Sequence, residues 1–138
     1  MTQLLLYITK MKNFLKYIFH ISLLILIIVS LYPGSLIGKM LYGDFGKQPN
    51  LIPNTFGTAI NHFIYYFYIT LIGLFAYLRS KNFKRLIYFL FFLSVVLELI
   101  HLMVPNRSFQ LTDLIGNILG VMVAYFLVKI YLFVNKHE

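Results

Sequence analysis

The chain has 138 residues, of which 60% are hydrophobic and 12% are charged, and its mean hydropathy is +0.81. A water-soluble domain of this length cannot bury so much apolar surface, so the composition predicts a membrane protein. The formal net charge is +8, but the basic residues flank apolar runs and do not form one block, which argues against nucleic-acid binding. Because cysteine is absent, a disulfide framework and a thiolate metal site are both excluded.

Four apolar runs are long enough to cross a bilayer as helices, since about 20 residues span roughly 30 Å of hydrocarbon. Open sheet edges are not viable in lipid, and the length of the runs also favours helix. We therefore expect a single all-α integral membrane domain over residues 1–138, a four-transmembrane-helix bundle. Its helices are predicted over residues 14–32, 58–78, 86–104 and 114–134.

The first run follows a basic segment, as the apolar part of a signal peptide does, but no small-residue cleavage site comes after it. We interpret this run as a retained membrane anchor. Residues 1–10, which precede it, are expected to be either an upstream extension or a short interfacial segment.

Lysine and arginine are divided unequally between the two sides of the predicted bundle. Nine lie near the N-terminus, in the turn at residues 79–85 or near the C-terminus, against three on the other side: Lys39, Lys47 and Arg107. The positive-inside rule therefore places both termini in the cytoplasm. A Gly- and Pro-rich loop at residues 33–57 and a short turn at 105–110 then face outward.

The few polar residues of the apolar runs fall near the outer ends of three predicted helices. Glu98 and His101 lie in the last two turns of the third helix, which is expected to end at the following proline. Asp113 and Asn117 lie one turn apart at the start of the fourth helix, and His62 lies near the start of the second. Because a short turn makes the third and fourth helices antiparallel neighbours, we expect these polar faces to meet.

Electrostatics also favours this convergence. A charged side chain in hydrocarbon costs about 2.5–3.5 kcal/mol even on the mildest scale, so Glu98 should face the bundle or a wet cavity. Arg107 is the nearest strong donor and is expected to pair with Glu98 or Asp113. We predict that these three residues form one cluster near the outer interface, and that His101 points toward it.

Simpler structural roles stay open for most of these residues. Asp113 can stabilise the N-terminus of its helix, and Asn117 can form an interhelical hydrogen bond. His62 can bind lipid headgroups at the interface. Gly116 and Gly120 have the spacing that lets two helices approach closely.

The same residues resemble a family pattern. A Glu-x-x-[Gln/His]-x-x-x-Pro-x-Arg segment followed by Asp-x-x-x-Asn-x-x-Gly is similar to the signature of VanZ-like membrane proteins. Two weaker marks agree, namely SLYP at residues 30–33 and NHFIYY at residues 61–66. The chain departs from the pattern where the family usually has Gln at the His101 position, and Asp-Lys where Thr58 and Ala59 stand. The main pattern is carried by Glu98, His101, Pro105, Arg107, Asp113, Asn117 and Gly120.

The resemblance implies a small four- or five-helix integral protein of the bacterial envelope, multi-pass in the inner (plasma) membrane. It also implies a link to resistance against teicoplanin-type glycopeptides, with which the founding member is associated. It supplies no biochemical mechanism.

Three classes of function therefore remain open. The first is the binding of a membrane lipid, a lipid-linked cell-wall precursor or a glycopeptide, with no cofactor and no metal. The second, which we favour less, is an enzyme acting on a lipid-linked envelope substrate, with Glu98 as general base or as a metal ligand beside His101. The third is a structural or accessory subunit that binds another membrane protein. The candidate ligand-binding residues are Glu98, His101, Arg107, Asp113, Asn117 and His62.

The orientation is testable with reporter fusions. A reporter fused at Lys81 should read as cytoplasmic and one at Asn50 as external, because nine of the twelve basic residues flank the side that contains Lys81. Opposite signals at the two positions would reverse the orientation and place the polar cluster at the inner face.

Overall fold

The computed structural model describes residues 2–49 and 56–135, and all regular structure within these ranges is helical. The all-α fold is therefore confirmed. The proposed reporter position Asn50 lies outside the described residues. The five helices are α1 (Thr2–Leu31), α2 (Leu36–Tyr42), α3 (Ala59–Ala76), α4 (Phe83–Ile100) and α5 (Leu111–Val134).

Three helices are long and apolar enough to cross a membrane: α1 over Leu6–Leu31, α3 and α5. The helix α4 has 18 residues, but these include Lys84, Arg85 and Glu98. Large apolar side chains also point outward, such as Phe92 on α4, which is 67% exposed, and Phe126 on α5, which is 55% exposed. Such outward-facing apolar surfaces require lipid as their solvent, and the chain is a multi-pass membrane protein.

The first helix is longer than predicted, because it begins at Thr2 and not at residue 14. Neither glycine nor proline occurs between Thr2 and Leu31, so nothing in the sequence interrupts the helix. Thirty residues give a length of about 45 Å, which exceeds the hydrocarbon thickness of about 30 Å. The segment before the predicted anchor is thus continuous with it as far as Thr2.

The loop between α1 and α3 contains a helix that was not predicted from the sequence. The hydroxyl oxygen of Ser35 accepts a hydrogen bond from the Gly38 amide at 2.9 Å and caps the N-terminus of α2. Gly43 ends α2 in the left-handed conformation, with φ of 72°. A Cβ atom at Gly38 would lie 1.7 Å from the Lys47 carbonyl oxygen, so only glycine lets the loop fold back against this helix.

The turn between α4 and α5 also differs from the prediction. The helix α4 spans Phe83–Ile100 where residues 86–104 were expected, and α5 starts at Leu111 where residue 114 was expected. After α4, three backbone bonds of the i to i+3 type tighten the chain, including one from the Met103 amide to the Ile100 carbonyl at 2.8 Å. The α conformation is unfavourable immediately before Pro105, which explains why the helix does not continue to that residue.

Helices α3 and α5 pack closely and run parallel. Gly116 lies against Ala59, and Gly120, one turn further on, lies against Phe63. The helix α4 runs antiparallel to both, and α1 packs mainly on α3. The polar ends of α3, α4 and α5 thus meet at one end of the bundle, where α1 also ends.

The close approach of α3 and α5 predicts that Gly120→Ala destabilises the protein. The new Cβ atom would lie 2.5 Å from the Phe63 carbonyl oxygen and 2.8 Å from the Phe67 amide nitrogen. We expect a loss of about 1–3 kcal/mol from overpacking, against a helix-propensity gain of about 1 kcal/mol. Thermal unfolding in detergent should show a lower midpoint. Gly46→Ala is the control, since its Cβ atom would meet only the Asp44 Oδ1 atom, at 3.4 Å; equal midpoints for the two variants would contradict the prediction.

Candidate functional site

Glu98 lies at the centre of the polar cluster and is 1% exposed. Its Oε1 atom accepts a hydrogen bond from the Gln110 amide at 3.0 Å and lies 3.4 Å from Nδ1 of His101. Its Oε2 atom lies 3.9 Å from Nδ1 of His62 and has no hydrogen-bond partner within residues 2–49 and 56–135. The carboxylate therefore keeps one buried oxygen available for a further donor.

His62 connects the second carboxylate to the cluster. Its Nδ1 atom lies 3.0 Å from Oδ1 of Asn117, and its Nε2 atom lies 3.4 Å from Oδ2 of Asp113. The amide nitrogen of Asn117 donates to the Ser94 carbonyl at 3.3 Å, which leaves Oδ1 as the acceptor that faces the imidazole. Both ring nitrogens of His62 thus face acceptors, and the imidazole lies between the two carboxylates.

Asp113 lies in the first turn of α5, where a negative charge stabilises the helix dipole. Both its carboxylate oxygens lie 3.0 Å from the hydroxyl of Thr58, which donates to them. Thr58 makes no side-chain cap for its own helix, and its backbone lies in the α region, with φ of −77° and ψ of −15°, not in the extended region typical of a capping residue. This threonine stands where the related family pattern has aspartate, and it joins α3 to α5 without adding a charge.

Arg107 does not form the carboxylate pair that the sequence predicted. Its Nη2 atom donates to the Val29 carbonyl at 2.9 Å, and its Nε atom donates to the Tyr32 carbonyl at 3.4 Å. The last four carbonyls of a helix lack partners within it and carry a partial negative charge, so the end of α1 is a suitable acceptor for a guanidinium group. Burial lowers the pKa of Arg107, while the negative charge of Glu98 acts in the opposite direction.

His101 forms a second link to the end of α1. Its Nε2 atom lies 3.2 Å from the Ser30 carbonyl oxygen and must carry the proton of that hydrogen bond. Its Nδ1 atom faces Glu98, as expected from their spacing of three residues. His101 is also 5% exposed, so it points into the cluster and away from lipid, as predicted.

A cavity of about 490 Å³ opens beside this cluster, between α1, α2 and α3. Five of the six candidate residues line it, whereas Asp113 does not and lies behind His62. Ile25 of α1, 55% exposed, and Tyr68 of α3, 48% exposed, line its apolar side, which opens laterally. The cavity therefore combines a polar end with an apolar side.

Two cavity residues were missed as site residues by the sequence analysis. Tyr66 is 2% exposed, and its hydroxyl has no hydrogen-bond partner in the described part of the chain. Asn61 donates from its side chain to the Pro49 carbonyl at 2.6 Å and so holds the loop after α2 against the cavity edge. Both belong to the NHFIYY segment, and its resemblance to the family pattern was the signal that could have identified them as site residues. No metal site is formed by histidine and carboxylate groups among residues 2–49 and 56–135.

The comparison with protein families gave a match. The family model described as VanZ/LLP1 matches residues 17–133, which include all four longer helices in part or in full. The chain belongs to the VanZ/LLP1 family. A search of curated proteins and a search of solved structures gave no match.

In this VanZ/LLP1 protein the residues of the main pattern hold four helices together. Glu98 contacts the start of α5, while His101 and Arg107 contact the end of α1. Asp113 contacts Thr58 at the start of α3, and Gly120 packs on the same helix. The pattern thus describes both a packing arrangement and one wall of a cavity.

The role of Arg107 in holding α1 predicts that Arg107→Gln reduces stability. Two hydrogen bonds from a charged donor to helix-terminal carbonyls are lost, and we expect a cost of about 1–3 kcal/mol. Lys47→Gln is the matched control, because it removes the same charge from an exposed position in the loop after α2 and should change stability by less than about 0.5 kcal/mol. Chemical or thermal unfolding of the purified VanZ/LLP1 protein measures both, and indistinguishable variants would refute the capping role.

Proposed function

We propose that this protein crosses the bacterial plasma membrane four times, with α4 as the fourth span and both termini in the cytoplasm. Two observations support a spanning α4: it has the same 18-residue length as α3, and it contacts α5 through Ser94 as well as Glu98. The nine-to-three distribution of basic residues supports the orientation. The polar cavity then faces the outer leaflet.

We also propose that this cavity binds the headgroup of a lipid or of a lipid-linked cell-wall precursor. The observation that carries the proposal is the Oε2 atom of Glu98, which is buried in a cavity wall and lies 3.9 Å from Nδ1 of His62 but has no hydrogen-bond partner among the described residues. A buried acceptor without a donor costs about 1–3 kcal/mol, more when charged, so a ligand hydroxyl, amide or amine that reaches it is strongly favoured. The Tyr66 hydroxyl offers a second polar contact nearby.

The remaining features of the cavity define the rest of such a ligand. Arg107 uses Nε and Nη2 on backbone carbonyls, which leaves its Nη1 group for a phosphate or carboxylate. The lateral side at Ile25 and Tyr68 suits an acyl chain, which would stay in the bilayer while the headgroup is held. These properties fit an amphiphile with an anionic headgroup that also carries hydrogen-bond donors.

Binding of this kind would change how much of a cell-wall precursor is accessible at the outer leaflet. It would also provide a route to altered sensitivity toward teicoplanin-type glycopeptides, whether the cavity holds the precursor or the lipid-anchored drug. Susceptibility to such a glycopeptide is therefore a suitable cellular measure of the site.

A membrane-embedded enzyme is the second candidate, and one observation favours it. His62 is 23% exposed, lines the cavity and lies between Asp113 and Glu98. An imidazole held by a carboxylate at the surface of a cavity is a suitable general acid or base. Recovery of a lipid that the wild-type protein converts, and the His62→Gln variant does not, would favour catalysis over binding.

The binding proposal is tested by comparing two carboxylate variants. In Glu98→Gln the amide oxygen can still accept from Gln110, but the NH2 group then replaces Oε2, and this group donates and cannot accept from a ligand. We expect normal abundance, a loss of about tenfold or more in the lipid retained during native mass spectrometry, and altered glycopeptide susceptibility. Asp113→Asn is the matched control, because Asp113 does not line the cavity; it should retain the lipid and lose about 1–2 kcal/mol of stability.

The outcome that contradicts this proposal is equally specific. If Glu98→Gln has wild-type abundance, wild-type lipid content and wild-type glycopeptide susceptibility, Glu98 is not part of a ligand site. If it instead loses stability as Asp113→Asn does, with lipid binding unchanged, the cluster acts as a structural lock between helices.

A further inference from the structure

A second cavity lies at the opposite end of the bundle from Glu98. It has a volume of about 320 Å³ and lies between α1, the turn after α3 and the start of α4. The end of α1 contacts Arg107, and the start of α3 contacts Asp113, both beside the Glu98 cluster. The other ends of these helices, where the second cavity lies, are therefore far from that cluster. Its principal residues are Phe19 and His20 on α1, Tyr77 and Asn82 in the turn, and Arg85 and Phe89 on α4.

Three aromatic rings form one wall of this cavity. Phe19 is 2% exposed, and its ring is edge-on to those of His20 and Tyr77, with centroid distances of 5.2 and 6.3 Å. Tyr77 and His20 are also in contact, at 6.4 Å. The phenylalanine ring packs into the groove at Gly73, where a Cβ atom would lie 2.7 Å from it. This wall is therefore held in place by the helix packing and needs little ordering when a ligand binds.

The rim of the cavity is positively charged. Arg85 is exposed and forms no hydrogen bond or ion pair with residues 2–49 and 56–135. The Nζ atom of Lys16 lies 5.5 Å from the centre of the Tyr77 ring, beside the same opening. The three described carboxylates are elsewhere: Glu98 and Asp113 lie in the polar cluster, and Asp44 follows α2. Nothing in the described chain neutralises these cations.

An apolar surface continues from this rim along the bundle. Leu23 on α1 and Leu86 and Phe89 on α4 line the cavity, and Phe89 is 42% exposed. Since α1 and α4 touch only weakly, the groove between them is open to acyl chains. A cationic rim above an apolar groove is complementary to an anionic phospholipid, and basic pockets between membrane helices bind such headgroups.

We propose that this second cavity binds an anionic phospholipid, with the phosphate at Arg85, Lys16 and the Asn82 side chain and an acyl chain against Leu23 and Phe89. Arginine and lysine both bind phosphate as charged donors, and the asparagine amide adds a neutral donor. The site is separate from the Glu98 cavity and does not depend on its ligand. Under the proposed orientation it lies in the inner leaflet and would fix the depth of α1 and α4 in the bilayer.

The absence of tryptophan from the sequence makes this site directly measurable. Phe89→Trp places a single fluorescent reporter in the cavity wall, and Tyr88→Trp places one on the adjacent residue, which is 72% exposed and does not line the cavity. Each variant is reconstituted in phosphatidylcholine vesicles with a rising fraction of brominated phosphatidylglycerol, and in parallel with brominated phosphatidylcholine. Bromine quenches only a tryptophan that the lipid touches.

We expect the Phe89→Trp reporter to be quenched by the anionic lipid at lower fractions than by phosphatidylcholine, by about fivefold for each contributing cation. The Tyr88→Trp reporter should show no such preference. Arg85→Gln in the Phe89→Trp background should weaken the preference about fivefold, whereas Lys81→Gln, which removes the same charge from the same turn without lining the cavity, should preserve it. Arg85→Lys should retain most of the preference.

Equal quenching by the two lipids at the Phe89→Trp reporter would overturn the proposal, as would a preference that Arg85→Gln leaves undiminished. A preference at Tyr88→Trp equal to that at Phe89→Trp would also overturn it, by showing general attraction of anionic lipid to the basic turn. If millimolar inorganic phosphate abolishes the preference, the cavity binds free anions and the assignment to a lipid is wrong.

Discussion

A buried carboxylate in an apolar bundle must find its partners within the protein, because hydrocarbon offers no hydrogen bonds in place of water. Glu98 meets this requirement with groups from several segments: the Gln110 amide at the start of α5, His62 on α3 and His101, which in turn contacts the end of α1. One charge on α4 is thereby connected to each of the other long helices. Removing a partner would leave a buried charge uncompensated, so the arrangement of the helices and the composition of the cluster depend on each other.

His101 shows why a histidine can stand where related chains usually have glutamine. In this structure its two nitrogens face the Ser30 carbonyl and the Glu98 carboxylate, so the position requires two donors that point in different directions. A glutamine amide also supplies two N–H donors, without a charge. The interchange is consistent with a hydrogen-bonding role for this position and gives no support to a metal-ligand role.

The elements that the sequence predicted well are those governed by long-range apolar pattern. Each of the four apolar runs coincides for most of its length with a helix, and the polar residues near their ends converge as their spacing indicated. The errors arose where short-range backbone chemistry decides the structure: the cap at Ser35, the left-handed Gly43 and the tightened turn before Pro105. Arg107 was assigned to the wrong partner because aspartate and glutamate can be read from the sequence, whereas the unpaired backbone carbonyls at the end of a helix cannot.

The lateral opening of the cavity beside Glu98 has a consequence for how a ligand would reach it. Ile25 and Tyr68 place that opening along the side of the bundle, where acyl chains lie, and not at its top. An amphiphile would then arrive by diffusion in the plane of one leaflet, and its effective concentration is its mole fraction among the surrounding lipids. Occupancy would follow the composition of the membrane and be insensitive to the volume of the aqueous phase. A scarce precursor could compete only if the polar end of the cavity discriminated strongly against the abundant lipids that pass the same opening.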